Sequence, residues 1–287
     1  EELDLSSFST ENVTHIINMF KDCESLKTLN LSSFNTENVK SLYGVFSNCY
    51  RLEELNLSSF STVRVTDMGY LFAGCESLKV LDLSNFNTEN VDDMHYMFAD
   101  CYNLEELNIS SFNTVNVIDM GNMFADCESL KTLNLNSFDT ENVTDMYGMF
   151  KNCVCLKKLD LSSFSTGNVV NMSYMFYRCN NLEQLDLSSF DTINVELMDK
   201  MFRGCSKLKY LDLSSFNTGD VISMLSMFEG CTSLESINLS SFVTTKVKIM
   251  EAMFKNCKEL TTLNLRNFKT DRLEEMSEIF SGCSKLT

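Results

Sequence analysis

The segment LSSFNTENVKSLYGVFSNC (residues 31–49) returns 26 residues later as LSSFSTVRVTDMGYLFAGC (residues 57–75), and it recurs along the whole chain without an insertion or deletion. Counted from its first Phe, the repeat begins at residues 8, 34, 60 and so on to 268, giving eleven copies. Two residues on there is always Thr, from Thr10 to Thr270. Five on there is Val, replaced by Leu273 in the last copy. Twelve on there is always Phe, and fifteen on always Cys, from Cys23 to Cys283. All 22 Phe and all 17 Met fall in fixed columns. One such copy cannot bury enough apolar surface to offset the entropy of ordering its backbone. Stacked copies share faces and strand hydrogen bonds, so a repeat this strict predicts a solenoid in which each coil rests on its neighbour. An inserted residue would misalign the stack.

Spacing gives the expected local structure. Val, Met, Phe and Cys are separated by three, four and three residues, which predicts one face of a short helix. Leu29 and Leu31 alternate with period two, which predicts a strand. Asn12, Asn38, Asn90 and their equivalents stand where a helix N-cap would. Asp67, Asp93, Asp119 and Asp145, three residues further, complete a capping box. Asp22, Asn48, Gly74 and the residues of that column suit the left-handed conformation that closes a helix, Arg178 being the exception.

The frame Leu-x-x-Leu-x-Leu, as in Leu78, Leu81 and Leu83, is that of leucine-rich repeats. The longer pattern, with LSSFxTxNVxxMxxMFxxC, resembles the BspA-like leucine-rich repeats of mycoplasma lipoproteins and gut-bacterial surface proteins, and the resemblance covers every copy. It implies an α/β leucine-rich-repeat solenoid of 11 coils of 26 residues, with a parallel β-sheet on the concave face and short helices on the convex face. It also implies display on a cell surface, where the solenoid serves adhesion or protein binding, with no catalytic residues. Residues 1–287 read as one such array. Since the chain opens and closes inside a repeat, it is expected to be a fragment of a longer chain, without terminal caps.

Composition narrows the function classes. A net charge of −17 repels a phosphate backbone, so nucleic acid is excluded as a partner. The charge is uneven, because residues 243–287 hold eight Lys and Arg against six acids. No run of 18 apolar residues occurs, so no membrane span is expected. The two histidines, His15 and His95, lie in different columns, and neither a nucleophile–base pair nor a glycine-rich phosphate loop is present; no enzyme and no cofactor is expected. The eleven cysteines of the ladder read as buried free thiols, since parallel Cβ vectors suit neither a disulfide nor a tetrahedral zinc site. Cys155 stands off the column and is expected at the surface. The Asp column reads as capping rather than as a calcium strip.

Candidate binding residues come from two sources. Between the strand leucines runs a row of Asp and Asn (Asp4, Asn30, Asn56, Asp82, Asn108, Asn134, Asp160, Asp186, Asp212, Asn238, Asn264), which is expected to face out of the sheet. Val80 and Tyr210 interrupt the polar strand surface with apolar bulk. On the helical side, Ile193, Leu197, Ile222, Leu225 and Ile249 gather in repeats eight to ten, and exposed apolar groups of this kind mark contacts. Beside the Asp and Asn row, Glu1, Lys27, Glu53, Lys79, Glu105 and Lys131 alternate in sign and are expected to fix register; the alternation breaks at Lys157.

The reading is a protein-binding scaffold without catalysis or metal, expected at a bacterial cell surface or outside the cell. Its partner would be a host surface or extracellular protein, or another copy of itself. The alternatives are a repeat protein that assembles into a filament or coat, an interaction scaffold in the cytoplasm, and a β-solenoid whose flat Thr row orders water or ice.

Overall fold

The computed structural model describes residues 2–3, 5 and 7–287. Glu1 and Asp4, the first members of the charge alternation and of the Asp and Asn row, lie outside the described residues. Nine short strands follow in chain order: β1 (Glu2–Leu3), β2 (Thr28–Leu29), β3 (Glu54–Leu55), β4 (Val80–Asp82), β5 (Glu106–Asn108), β6 (Lys158–Leu159), β7 (Gln184–Leu185), β8 (Tyr210–Asp212) and β9 (Ser236–Asn238). Pairing is parallel and in the register of the repeat, for example Thr28 with Glu54 and Leu81 with Leu107. The Leu columns point inward, where Leu31, Leu52 and Leu83 are buried, while the residues between them face solvent.

The expected helices are absent: the described residues contain none. The segment from Val to Cys is a run of tight turns. In the coil of residues 39–49, the Val45, Ser47 and Cys49 N–H groups donate three residues back, to Leu42, Gly44 and Phe46. The N–H groups between them, at Leu42, Gly44, Phe46 and Asn48, donate to Asp67, Gly69, Leu71 and Ala73 in the next coil at 2.7–3.0 Å. A helix sends every N–H four residues back within its own segment; here alternate N–H groups leave the coil. The backbone enforces this with two left-handed residues per coil. One column is the expected one (Asp22, Asn48, Gly74), and Arg178, at φ 55°, conforms to it rather than departing from it. The other, four residues earlier, includes Asn18, Tyr70, Tyr96, Asn122 and Lys200 at φ 53–55°. Positive φ at the third position of successive turns is what type II turns require, and it breaks a helix. The cost to a non-glycine residue is roughly 1–2 kcal/mol, offset by the inter-coil bonds that the geometry frees. Residues three apart share a side in a ladder of turns as they do in a helix, so the apolar spacing fitted both. The capping role of the Asp column survives in altered form. Asp67, Asp93, Asp119 and Asp145 each accept the N–H two residues on, at 2.7–3.0 Å, and so cap a turn.

This turn face carries parallel bridges through every coil, from His15–Ser41 to Ile249–Glu275. Behind it the second Phe of each repeat stacks in one file from Phe20 to Phe280, rings 5.4–5.9 Å apart and within 14° of parallel. The strand face is looser. Pairing there lapses between β3 and β4 and between β7 and β8, and residues 131–135 form no strand. First-Phe rings near it stack at 6.2–6.4 Å. The side expected to be wide and helical is therefore the tight one. Residues 261–265 likewise form no strand, whereas the coil at which the charge alternation breaks, that of Lys157, keeps one in β6. Of that alternation, Lys27–Glu53 (2.9 Å), Glu105–Lys131 (2.9 Å) and Lys209–Glu235 (3.5 Å) form ion pairs. All six side chains are exposed, so the pairs favour register more than stability.

Two invariant columns are hydrogen-bonding clamps. Thr114, fully buried, donates its hydroxyl to the Asp139 carbonyl at 2.6 Å and accepts the Asp139 N–H at 2.8 Å. The same double contact joins Thr36 to Ser61 and Thr88 to Asn113. These buried hydroxyls face no solvent, which removes the water-ordering Thr row. The cysteines are free thiols. From Cys49 to Cys283 each column thiol donates to the Phe carbonyl 29 residues back, as Cys101 does to Phe72 at 3.3 Å. They are more than apolar fillers. Burial pushes Cys49, Cys101, Cys179 and Cys231 up to about 12.

Replacing Thr114 by Val removes the buried hydroxyl that pairs with both the Asp139 N–H and carbonyl and is expected to cost about 1–3 kcal/mol in urea unfolding, whereas Thr114→Ser retains most of the stability. Unfolded thiols ionise near 9.0 and the folded ones stay protonated. Stability from the cysteine column is therefore complete below about pH 9 and falls as pH rises towards about 12. The urea midpoint measured from about pH 8 to about pH 11 should show this decline. Under native conditions a thiol reagent should label Cys155, Cys23 and Cys283, which are half-buried, and spare the nine buried cysteines.

Candidate binding face

The strand face presents the Asp and Asn row in a fixed pose. Each side-chain oxygen accepts the N–H two residues on: Asp82 from Ser84 at 3.0 Å, Asp186 from Ser188 and Asp212 from Ser214 at 2.9 Å each. Asn134 and Asn264, which lack the Ser, cap Asn136 and Arg266 in the same way. The column is thus a turn cap that requires Asp or Asn. The second Ser ties coils together, as Ser111 does through the Leu83 and Phe86 carbonyls. Capping also sets the electrostatics. The Ser backbone N–H holds the Asp82, Asp186 and Asp212 carboxyls below the usual carboxylate range; at Asp160 the Ser162 hydroxyl leads. The face therefore carries exposed ionised carboxylates, on successive coils at Asp160, Asp186 and Asp212.

Two hollows open where strand pairing lapses. One of about 510 Å³ is lined by Asp186, Ser188, Tyr210, Asp212, Ser214 and Asn238. The other, of about 720 Å³, is lined by Val80, Asp82, Glu106, Asn108, Thr132 and Asn134, and it reaches into the coil without a strand. Tyr210 is 61% exposed and Val80 56% exposed, each beside its hollow. The Tyr210 hydroxyl donates to Glu235 at 2.8 Å, which ties the ring to the next coil. Its other side borders a third recess of about 350 Å³, with Gln184, Lys207 and Lys209.

The structure thus joins Asp186, Tyr210 and Asp212 at one hollow and Val80 with Asp82 at another. Ile193, Leu197, Ile222, Leu225 and Ile249 lie away from both. Ile193 (49% exposed) sits in a turn capped by Asp191, and Ile222 (41% exposed) in the approach to the turn face. Leu197 and Ile249 occupy turn-face rungs on either side of Ser223, and with Leu225 they are half-buried. They form a second surface, not part of the strand-face site. Lys207 and Gln184 escaped the sequence reading, and Lys209 entered it only as a member of the charge alternation, because a single exposed polar residue beside a recess carries no signal of its own. An aromatic group on the turn face escaped as well. Tyr70 and Tyr96 stack at 4.7 Å, Tyr43 leans on Tyr70 at 5.6 Å, and His95 meets Tyr70 edge-on at 4.8 Å while its Nδ1 bonds Asp93. The His95 ring is surrounded by tyrosine rings, with neither a serine hydroxyl nor a cysteine thiol bonded to it.

No helix of the described residues is long and apolar enough to cross a membrane. No curated protein matches the chain. Among solved structures, a leucine-rich repeat protein from Bacteroides ovatus is 21% identical, with 93% of this chain and 73% of that one covered at a TM-score of 0.49. A leucine-rich cell surface protein from Faecalibacterium prausnitzii is 17% identical over 94% of this chain and 74% of that one, at a TM-score of 0.44. The family described as Mycoplasma protein of unknown function, DUF285, matches residues 1–106, 75–185, 128–211 and 182–287. With those matches running from one end of the sequence to the other, the chain belongs to the DUF285 family.

Proposed function

We propose that this chain is a non-catalytic protein-interaction scaffold, displayed on a bacterial cell surface and binding proteins of a host or of neighbouring cells through its strand face. The observation that carries the reading is Tyr210, an exposed ring tied to Glu235 and lining two hollows. Aromatic anchors flanked by recesses and rimmed by polar groups are the arrangement found at the energetic centres of protein interfaces. The ionised Asp160, Asp186 and Asp212 beside it would orient a partner and select its charge. Rigid coils suit this role, since the face is formed before the partner arrives and little ordering is needed on binding. The surface location rests on the likeness to BspA-like repeats.

The test is binding of the purified chain to immobilised surface proteins of host epithelial cells, compared between parent and Tyr210→Ala. Loss of about tenfold or more in affinity, with an unchanged melting temperature, is expected from truncating a central aromatic anchor. Equal binding by both proteins would defeat the strand-face assignment.

A further inference from the structure

We infer that the exposed column running from Asp92 to Lys248, one residue per coil, is a homodimer surface on which a second copy of this chain docks antiparallel about a two-fold axis at Val170. The column lies on a continuous backbone ladder. Each of its N–H groups from Ile118 to Lys248 donates to the carbonyl 26 residues back, at 2.8–3.0 Å. Every side chain from Asp92 to Lys248 in this column is exposed. Ile118 (50% exposed), Val170 (41% exposed) and Ile222 therefore form a fixed file, about 9.5 Å between neighbours, which is two ladder spacings. Thr144 and Glu196 stand between them. Burying three β-branched aliphatics from water is favourable, and exposed groups of this kind mark contacts.

The order of residues in the column says what covers it. A two-fold axis across the column at Val170 sets Val170 against its equivalent and Ile118 against the partner's Ile222. The same axis sets Asp92 opposite the partner's Lys248, and Thr144 opposite the partner's Glu196. Among the described residues Asp92 forms no ion pair. Lys248 meets Glu274 at 3.0 Å, but both side chains are more than half exposed. Water screens that pair, and the ammonium has donors left for a second carboxylate. Neighbouring registers fail. With the axis one coil earlier, at Thr144, Asp92 faces Glu196 and Lys40 faces Lys248; one coil later, Glu196 faces itself. An axis midway between coils, on either side of Val170, sets Ile118 opposite Glu196 or Lys248. In the corner column, three residues earlier in each coil, the axis at Val170 sets exposed Val115 opposite the partner's Gly219, a side chain facing a residue without one. Charge agrees over a longer range. Residues 60–111, with two bases and nine acids, lie alongside residues 243–287 of the partner, with eight bases and six acids. In a molecule of net charge −17, this pairing sets an acidic stretch against a basic one and avoids like-signed contact. The surface shares no residue with the Tyr210 site, and the inference goes beyond that reading.

Sedimentation equilibrium of the chain from about 10 μM to about 1 mM, the range of small transient interfaces, is expected to show monomer and dimer in exchange. Val170→Arg puts like charges face to face on the axis. It should weaken dimerisation about tenfold or more, with an unchanged melting temperature because the side chain is exposed. Asp92→Lys and Lys248→Asp each act at both ends of a two-fold contact and should weaken it about three- to tenfold. The double variant restores opposite charges and should return to within about threefold of the parent. Lys40→Glu, a charge reversal in the same column but beyond the overlap, should leave dimerisation within about twofold. The inference is overturned if the chain stays monomeric throughout, or if Val170→Arg dimerises as the parent does. It is also overturned if the double variant fails to recover. Association that runs past the dimer into open chains, untouched by Val170→Arg, would place the contact at the end coils and overturn it as well. None of these outcomes bears on the Tyr210 test.

Discussion

The whole molecule depends on one class of contact: a backbone N–H that leaves its own coil and meets a carbonyl about one period away. On the turn face four such bonds per coil run forward, as from Leu42, Gly44, Phe46 and Asn48. They require alternate residues of a turn run to point along the stack, and that in turn requires left-handed residues at fixed places. Once these bonds exist, side chains at equivalent positions are superposed. Stacked Phe rings, the Thr clamps and the thiol-to-carbonyl contacts are consequences of that superposition. Each also reinforces it, because a buried hydroxyl or thiol has a partner only when the next coil is in register. Among the described residues no buried side-chain nitrogen or oxygen is left without a partner.

Much of this was legible from residues alone. The fixed period, the inward Leu, Phe and Cys columns and the parallel register follow from a repeat with no insertion. The helices did not survive, and the reason is specific. A separation of three residues is shared by a helix face and by a chain of tight turns, so the steps from Val39 to Leu42 and from Phe46 to Cys49 could not distinguish them. What decides is the column of Asn18, Gly44, Tyr70, Tyr96 and Lys200, every member of which has positive φ. Its composition is too mixed to announce this, since Tyr and Lys have no left-handed preference and are held there by inter-coil bonds. The other left-handed column, rich in Asn, Asp and Gly, was read correctly as left-handed but assigned to the end of a helix.

Candidate binding residues were legible in proportion to how sharply they broke the pattern. Val80 and Tyr210 stand out against a polar column, and both line hollows. The Asp and Asn row was visible but its first duty was not: each carboxylate caps its own turn before it can meet anything else. The tyrosines of the turn face were passed over because they alternate between two adjacent columns, Tyr43 in one and Tyr70 in the next. Only coordinates show that these columns project to the same strip.

The unvarying period has a bearing on heredity. Among the described residues the hydrogen bonds and ion pairs between coils link a residue to one 23–29 positions away, and most lie at 25 or 26. A recombination event that removes or duplicates complete coils therefore recreates the same Thr clamp, thiol contact and ring stack at the new junction, whereas a deletion that is not a whole number of coils destroys all three at once. Genes of this design can lengthen or shorten by whole units under selection for reach alone, carrying exposed residues such as Tyr210 and Val80 nearer to or further from each other without redesigning what lies beneath them.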